Sequence, residues 1–156
     1  MATKNKGQDA GKFKQAKREL REGAFILYFE SLFRDDAIKD IYEITAECEE
    51  ANETLRISDE SCALACKVEE KASEVDKIIE VYSTKRSLNR IAKINLAILR
   101  LALYEAAYED DVPVNVAISE AVSIAEKYAQ EADVAFINGV LGAYSRSLKK
   151  DSGSNE

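Results

Sequence analysis

Histidine is absent from this chain of 156 residues, proline occurs once and glycine only six times. The missing imidazole removes the side chain whose ordinary titration falls near neutral pH. Acid–base catalysis would then need carboxylates, lysines or cysteines shifted far from their usual values. So few breakers also argue against a strand-rich fold, which needs many more turn residues. No run of 18 or more apolar residues occurs, so no membrane-crossing helix is expected. The leading residues are polar and hold no apolar signal core, which argues against secretion and predicts a cytoplasmic protein. A Gly-rich phosphate loop is missing as well. Gly139 and Gly142 sit inside a helical pattern with no strand before them. The reading is of a protein that is not an enzyme and takes no cofactor and no metal.

Three cysteines, Cys48, Cys62 and Cys66, form an odd set that cannot all pair within the chain. Cys62 and Cys66 lie four apart and share a face of any helix that holds both. A metal or redox pair is one reading, and small apolar residues within a reduced protein the other. Structural zinc usually takes two close pairs, often with histidine, so the second reading is preferred.

What is present points one way. The chain is 46% hydrophobic and 33% charged, rich in Ala, Leu, Ile, Glu and Lys, which predicts an all-α protein. We expect a compact single-domain bundle of six or seven helices over 14–149. A flexible basic tail is expected at 1–13 and a disordered tail at 150–156. A first helix over 14–33 stacks Leu20, Ala24, Leu27 and Leu32 on one side. A second turns Ile38, Ile41, Ile44 and Cys48 inward, and 52–58 reads as a polar loop. Ser58-Asp59 caps a third helix carrying Leu64, Ala65 and Val68. Ser73 begins another capping pattern before Val75, Ile78, Ile79 and Tyr82. Two helices or one bent rod both fit. From Ser87 a long helix, apolar almost all round over 96–103, is the expected buried centre. Pro113 ends it. Asn115 caps the next helix, which turns Ala117, Ala121, Ile124, Ala125 and Tyr128 inward. Asp133 caps the last, with Phe136, Ile137, Val140, Leu141, Tyr144 and Leu148 inside.

Charge is unevenly spread. Residues 1–21 hold seven cations against Asp9 and Glu19, a balance of +5 in a chain of net −7. A basic leading end on an acidic body steers a polyanion towards one surface. A solvated tail is the plainer alternative. Lys14, Lys17, Arg18 and Arg21 recur at three- and four-residue steps, so they line one helical side and meet successive phosphates.

Several strings fall in an order that resembles a known family. ILRLALYE at 98–105 is followed by Asp111-Val112-Pro113, then by NVAISEA at 115–121 and FINGVLG at 136–142. Ser83-x-x-Arg86-x-Leu88-x-Arg90-Ile91 leads into the central helix, and KRELREGAFILYF at 17–29 resembles a basic first helix. Together they resemble the NusB family of bacterial transcription antitermination factors, from about 14 to 148. The resemblance implies a small RNA-binding adaptor. It pairs with NusE, a small-subunit ribosomal protein, and binds single-stranded boxA RNA in ribosomal RNA leaders. With other Nus factors it keeps the RNA polymerase elongation complex reading through terminators. The implied RNA face joins the first helix to parts of the central and last helices. Lys14, Lys17, Arg18 and Arg21 would meet phosphates there. Tyr28, Phe29 or Phe136 would stack a base, and Glu105 and Asn138 would bond base edges.

Departures exist. The family often has Trp where Arg86 stands, Tyr at Phe29, Lys at Ala135 and Asp at Asn95. Ser119 replaces an Asn, and Glu19 dilutes the basic helix. A second reading is therefore a NusB-fold protein-interaction adaptor with little RNA binding of its own. NusB-like domains also precede ribosomal RNA cytosine methyltransferases, and with these residues ending at Glu156 that enzyme reading is expected to be remote. No membrane partner is expected, and homodimerisation is left open.

Overall fold

Lys93–Tyr108 holds nine buried residues, because apolar side chains recur there on nearly every side and leave no face for water. The computed structural model describes residues 6–48 and 57–153, with side chains over 16–48 and 57–150. Its helices are α1 (Lys6–Ser31), α2 (Ile38–Glu47), α3 (Asp59–Tyr82), α4 (Lys93–Tyr108), α5 (Val114–Tyr128) and α6 (Glu131–Gly153), with a 3-10 turn at Leu88–Arg90. All regular structure among the described residues is helical, as composition predicts. No described helix is long and apolar enough to cross a membrane. The chain clusters into two compact units, 1–66 and 67–156, with the boundary inside α3.

In the first unit α1 lies against α2, burying Phe25, Leu27, Ile38 and Ile41. Ser58 caps α3, its Oγ accepting the Ser61 N–H at 3.2 Å. That cap satisfies a donor which the first helical turn would otherwise strand. Ser61 Oγ then donates to the Leu20 carbonyl at 3.0 Å and so ties α3 to α1. The tie needs a close approach, and Gly23 supplies it. A Cβ at Gly23 would stand 2.6 Å from Ser61 Oγ. Gly23→Ala should therefore destabilise by about 1–3 kcal/mol through overpacking, despite a helix-propensity gain of about 1 kcal/mol. Gly139→Ala, with nothing within 4 Å of the new Cβ, should keep that gain. Urea midpoints of the two variants check the contrast, and equal midpoints would refute the close approach.

Several boundaries differ from the expected ones. α1 begins at Lys6 instead of Lys14, since Lys, Gln and Ala hold helical backbone without any apolar stripe to reveal it. α6 likewise continues to Gly153. Residues 1–5, 49–56 and 154–156 lie outside the described ones, and with them most of the polar loop at 52–58 and the outer ends of both expected tails. In α2 only Ile38 and Ile41 are buried. Ile44 is 55% exposed and Cys48 is also exposed. Each three-residue step falls about 60° short of a turn, so the stripe drifts off the inner face.

α3 is one continuous rod of 24 residues, and Ser73 lies within it instead of opening a new helix. Val68, Val75 and Ile79 are fully buried along it. Arg100 on α4 grips Asp76 on α3 with two bonds of 2.8 Å, a bidentate geometry that orients as well as attracts. α4, α5 and α6 contact one another pairwise. Ala97, Ala102, Ala117, Ala121 and Ala125 are all buried, small enough to let these helices approach closely.

The start of α4 is later than expected. Ser87 Oγ bonds Asn89 Oδ1 at 2.7 Å, and such local side-chain bonds compete with helix. Pro113, not Asn115, occupies the α5 cap position, where its missing N–H costs nothing. Asp133 is already inside α6, which opens at Glu131. Tyr128 and Leu148 are 37% and 38% exposed instead of inward-facing.

Candidate nucleic-acid interface

α1 presents fewer of its expected binding groups than the helical spacing suggests. Arg18 is exposed and Lys17 half-buried, whereas Arg21 is only 7% exposed. All three already interact with other parts of the protein. Lys14 lies on the helical backbone of α1, but its side chain falls outside the described ones. Tyr28 is buried, because it falls four residues after Ala24 on the inner stripe. Phe29 is half-buried between two rings. It stacks on Phe25 at 5.7 Å and meets Phe33 edge-on at 5.2 Å. The exposed aromatic of this ladder is Phe33.

In the second unit Glu105 on α4 is 4% exposed and has a partner. A buried carboxylate that already has a partner serves the fold before it reads any base edge. Its neighbour Tyr104 donates to Glu109 Oε1 at 2.8 Å. Burial first, and that bond second, hold the Tyr104 phenol well above its ordinary range.

Phe136 and Asn138 are two residues apart on α6 and do not share a face. Phe136 lines a cavity of about 330 Å³ beside the carboxyl end of α3. Asn138 lines a groove between α5 and α6. Two residues turn a helix through roughly 200°, which the FINGVLG string hides.

The structure adds a constellation built from distant residues. The Arg86 guanidinium lies over the Phe136 ring, 4.3 Å from its centre. Asp133 holds Arg86 at 3.4 Å and accepts the Asn95 amide at 3.0 Å. An amide turned the other way would aim its oxygen at the carboxylate, so charge fixes the orientation. Asn95 Oδ1 is left without a partner among the described residues. The members stand 47 and 38 residues apart, beyond the reach of any local periodicity. Asp133 looks like a helix cap in sequence. The available signals were the unusual Arg86 and Asn95, both departures from the resembled pattern.

The model of the NusB family matches residues 18–146. The transcription antitermination protein NusB of Agathobacter rectalis is 37% identical over 134 residues, which cover 81% of this chain and 96% of that protein. Its counterpart in Ruminiclostridium cellulolyticum is 34% identical, covering 79% and 93%. Among solved structures, NusB of T. maritima superposes with a TM-score of 0.67 at 33% identity, over 83% of this chain and 89% of that one. A crystal structure of antitermination factors NusB and NusE in complex with dsRNA matches at 0.70, covering 85% and 98%; at 22% identity it speaks for the fold alone. The match spans α1 through α6 and includes both sides of the Arg86–Asp133 pair, and the chain belongs to the NusB family.

Proposed function

We propose that this protein is a transcription antitermination subunit that joins NusE on single-stranded boxA RNA of ribosomal RNA leaders. In that role it promotes processive elongation by RNA polymerase with other Nus factors, in the cytoplasm where transcripts are made. The observation that carries the reading is the near full-length likeness to proteins named for antitermination. A protein of the same fold is found with NusE and dsRNA, and NusE and RNA are the partners proposed by analogy with it. Arg18 and Lys17 on α1 supply cations for a phosphate backbone, and Phe136 on α6 supplies a braced ring for a base. Aromatic stacking suits unpaired bases, whereas a duplex is read through its backbone and 2′-hydroxyls.

The buried Arg21, Tyr28 and Glu105 favour a second reading. With these groups turned inward, the protein would serve mainly as a NusE-binding adaptor with little RNA affinity of its own.

Co-purification with NusE, with and without a boxA oligonucleotide, separates the two. The leading reading expects a NusE complex whose RNA affinity exceeds that of either protein alone by about tenfold or more, roughly 1.4 kcal/mol of coupling. Tight NusE binding with no added RNA affinity establishes the adaptor instead. Failure to bind NusE removes both.

A further inference from the structure

Small apolar packing accounts for Cys62, which is 8% exposed, but not for Cys66, which faces water. The two stand in the first two turns of the continuous α3 rod. Four residues of helix place their Cβ atoms about 5–6 Å apart on one face. Both are free thiols, and their side chains are hydrogen-bonded to each other. The first unit thus carries two sulfurs in contact, one shielded and one open to solvent.

A disulfide does not suit this pair. It needs Cβ atoms about 3.5–4.5 Å apart, so α3 would have to open at its first turns. Those turns are tied down. Ser58 Oγ holds the Ser61 N–H, and Ser61 Oγ reaches the Leu20 carbonyl on α1. The thiol is also a poor nucleophile for oxidation. Burial first, and the neighbouring Cys66 second, push Cys62 up to about 11, and it is the thiolate that attacks.

An atom placed between the sulfurs removes the geometric objection. Two metal–thiolate bonds of about 2.3 Å, the length taken by zinc, bridge a sulfur–sulfur gap of up to roughly 4.6 Å. Sulfurs on neighbouring turns of one helix face span that gap without unwinding the helix. Zinc itself fails on ligand count, since a closed zinc site takes four. The chain has no histidine, and no group of three or more His, Cys, Asp and Glu able to hold a metal occurs among the described residues. Two thiolates suit a soft cation that accepts linear coordination, and monovalent copper is the biological member of that class.

The charge balance fits as well. The ion displaces both thiol protons to solvent, keeps its oxidation state and leaves a bis-thiolate complex of charge −1. Lys39 on α2 favours the charged form of Cys62, and its effect exceeds the opposing one of Asp59. Asp59 is engaged by the Tyr42 hydroxyl at 2.5 Å.

We propose that Cys62 and Cys66 form a two-coordinate site for a soft monovalent cation, copper(I), held between their sulfurs near the start of α3. The ion staples two successive turns of α3 beside the Ser61–Leu20 tie and so stabilises the first unit by linkage. Cys48 is exposed too, but it stands alone past the end of α2 and serves as the internal control.

The test titrates the reduced full chain, without oxygen, against copper(I) buffered by bicinchoninate. Wild type should take one ion per chain and melt at a higher temperature with it. Cys48→Ser should behave as wild type. Cys66→Ser alters an exposed side chain and should weaken the ion about a hundredfold or more, the gain from making a second ligand intramolecular. Its melting temperature should no longer respond to copper. Cys62→Ala should do the same, and if it melts below wild type without copper, Cys66→Ser against Cys48→Ser decides alone. Wild-type copper affinity in Cys66→Ser would overturn the pair, as would loss of the ion in Cys48→Ser or one ion shared between two chains.

Discussion

Leu103→Ala is expected to cost about 2–5 kcal/mol of stability, the range for truncating a fully buried leucine. Leu103 lies on α4 with no exposed surface, among Leu99, Leu101, Ala102 and Tyr104, all buried. The deleted atoms leave a void that three mutually contacting helices cannot collapse around without losing their own contacts. Against a typical total of about 5–15 kcal/mol, that loss brings the protein near its unfolding threshold. The urea midpoint should fall with the slope unchanged. Ile44→Ala is the matched control. Its side chain is 55% exposed, and its loss should shift stability by no more than about 0.5 kcal/mol. Comparable costs at the two positions would contradict the assignment of α4 as the core helix and α2 as a partly exposed one.

Charge reversal on α1 should produce the largest functional effect. Lys17→Glu with Arg18→Glu replaces two cations by two anions on the helix assigned to the phosphate backbone. Each lost contact on a single strand removes about 0.7 from the log–log salt slope, so the slope should flatten by about 1.4. At moderate ionic strength the affinity for a boxA oligonucleotide should fall about tenfold or more, since repulsion is added to the lost attraction. Both residues also interact within the protein, so Lys17→Gln with Arg18→Gln provides a milder comparison, and thermal melts establish that the variants remain folded. An unchanged RNA titration by folded variants would remove α1 from the interface.

Much of the fold was legible because helical periodicity is a local property. α4 was marked by apolar residues on every side, and α5 by alanines that recur in step with its turn. The helix ends were less legible. Ser58 does cap α3, as its hydroxyl and position suggest. Asn115 and Asp133 carry equally good capping groups, yet sit inside their helices. Capping groups compete with tertiary partners, and Asp133 is drawn to Arg86 and Asn95 instead. The amphipathic stripe also overestimated burial where a short helix drifts out of register, as at Ile44 and Cys48.

The candidate site was legible in its chemistry and much less so in its geometry. Basic residues at three- and four-residue steps on α1 identified a cationic row, but not that Arg21 is buried while Arg18 is exposed. FINGVLG identified Phe136 and Asn138 together, although a helix sends them to different sides. Arg86 stood in the string that leads into the central helix, but nothing in that string pointed to Asp133 or to the Phe136 ring.

Sequence alone determined the helical class, the central place of α4, the family and the absence of an imidazole for acid–base work, because these depend on residue type and on spacings within a turn or two. Tertiary structure alone decided which cations face water, and that Arg86 braces Phe136 while Asn95 meets Asp133. The last two relations join residues about 40 to 50 positions apart, and only side-chain packing between helices brings such residues within bonding distance.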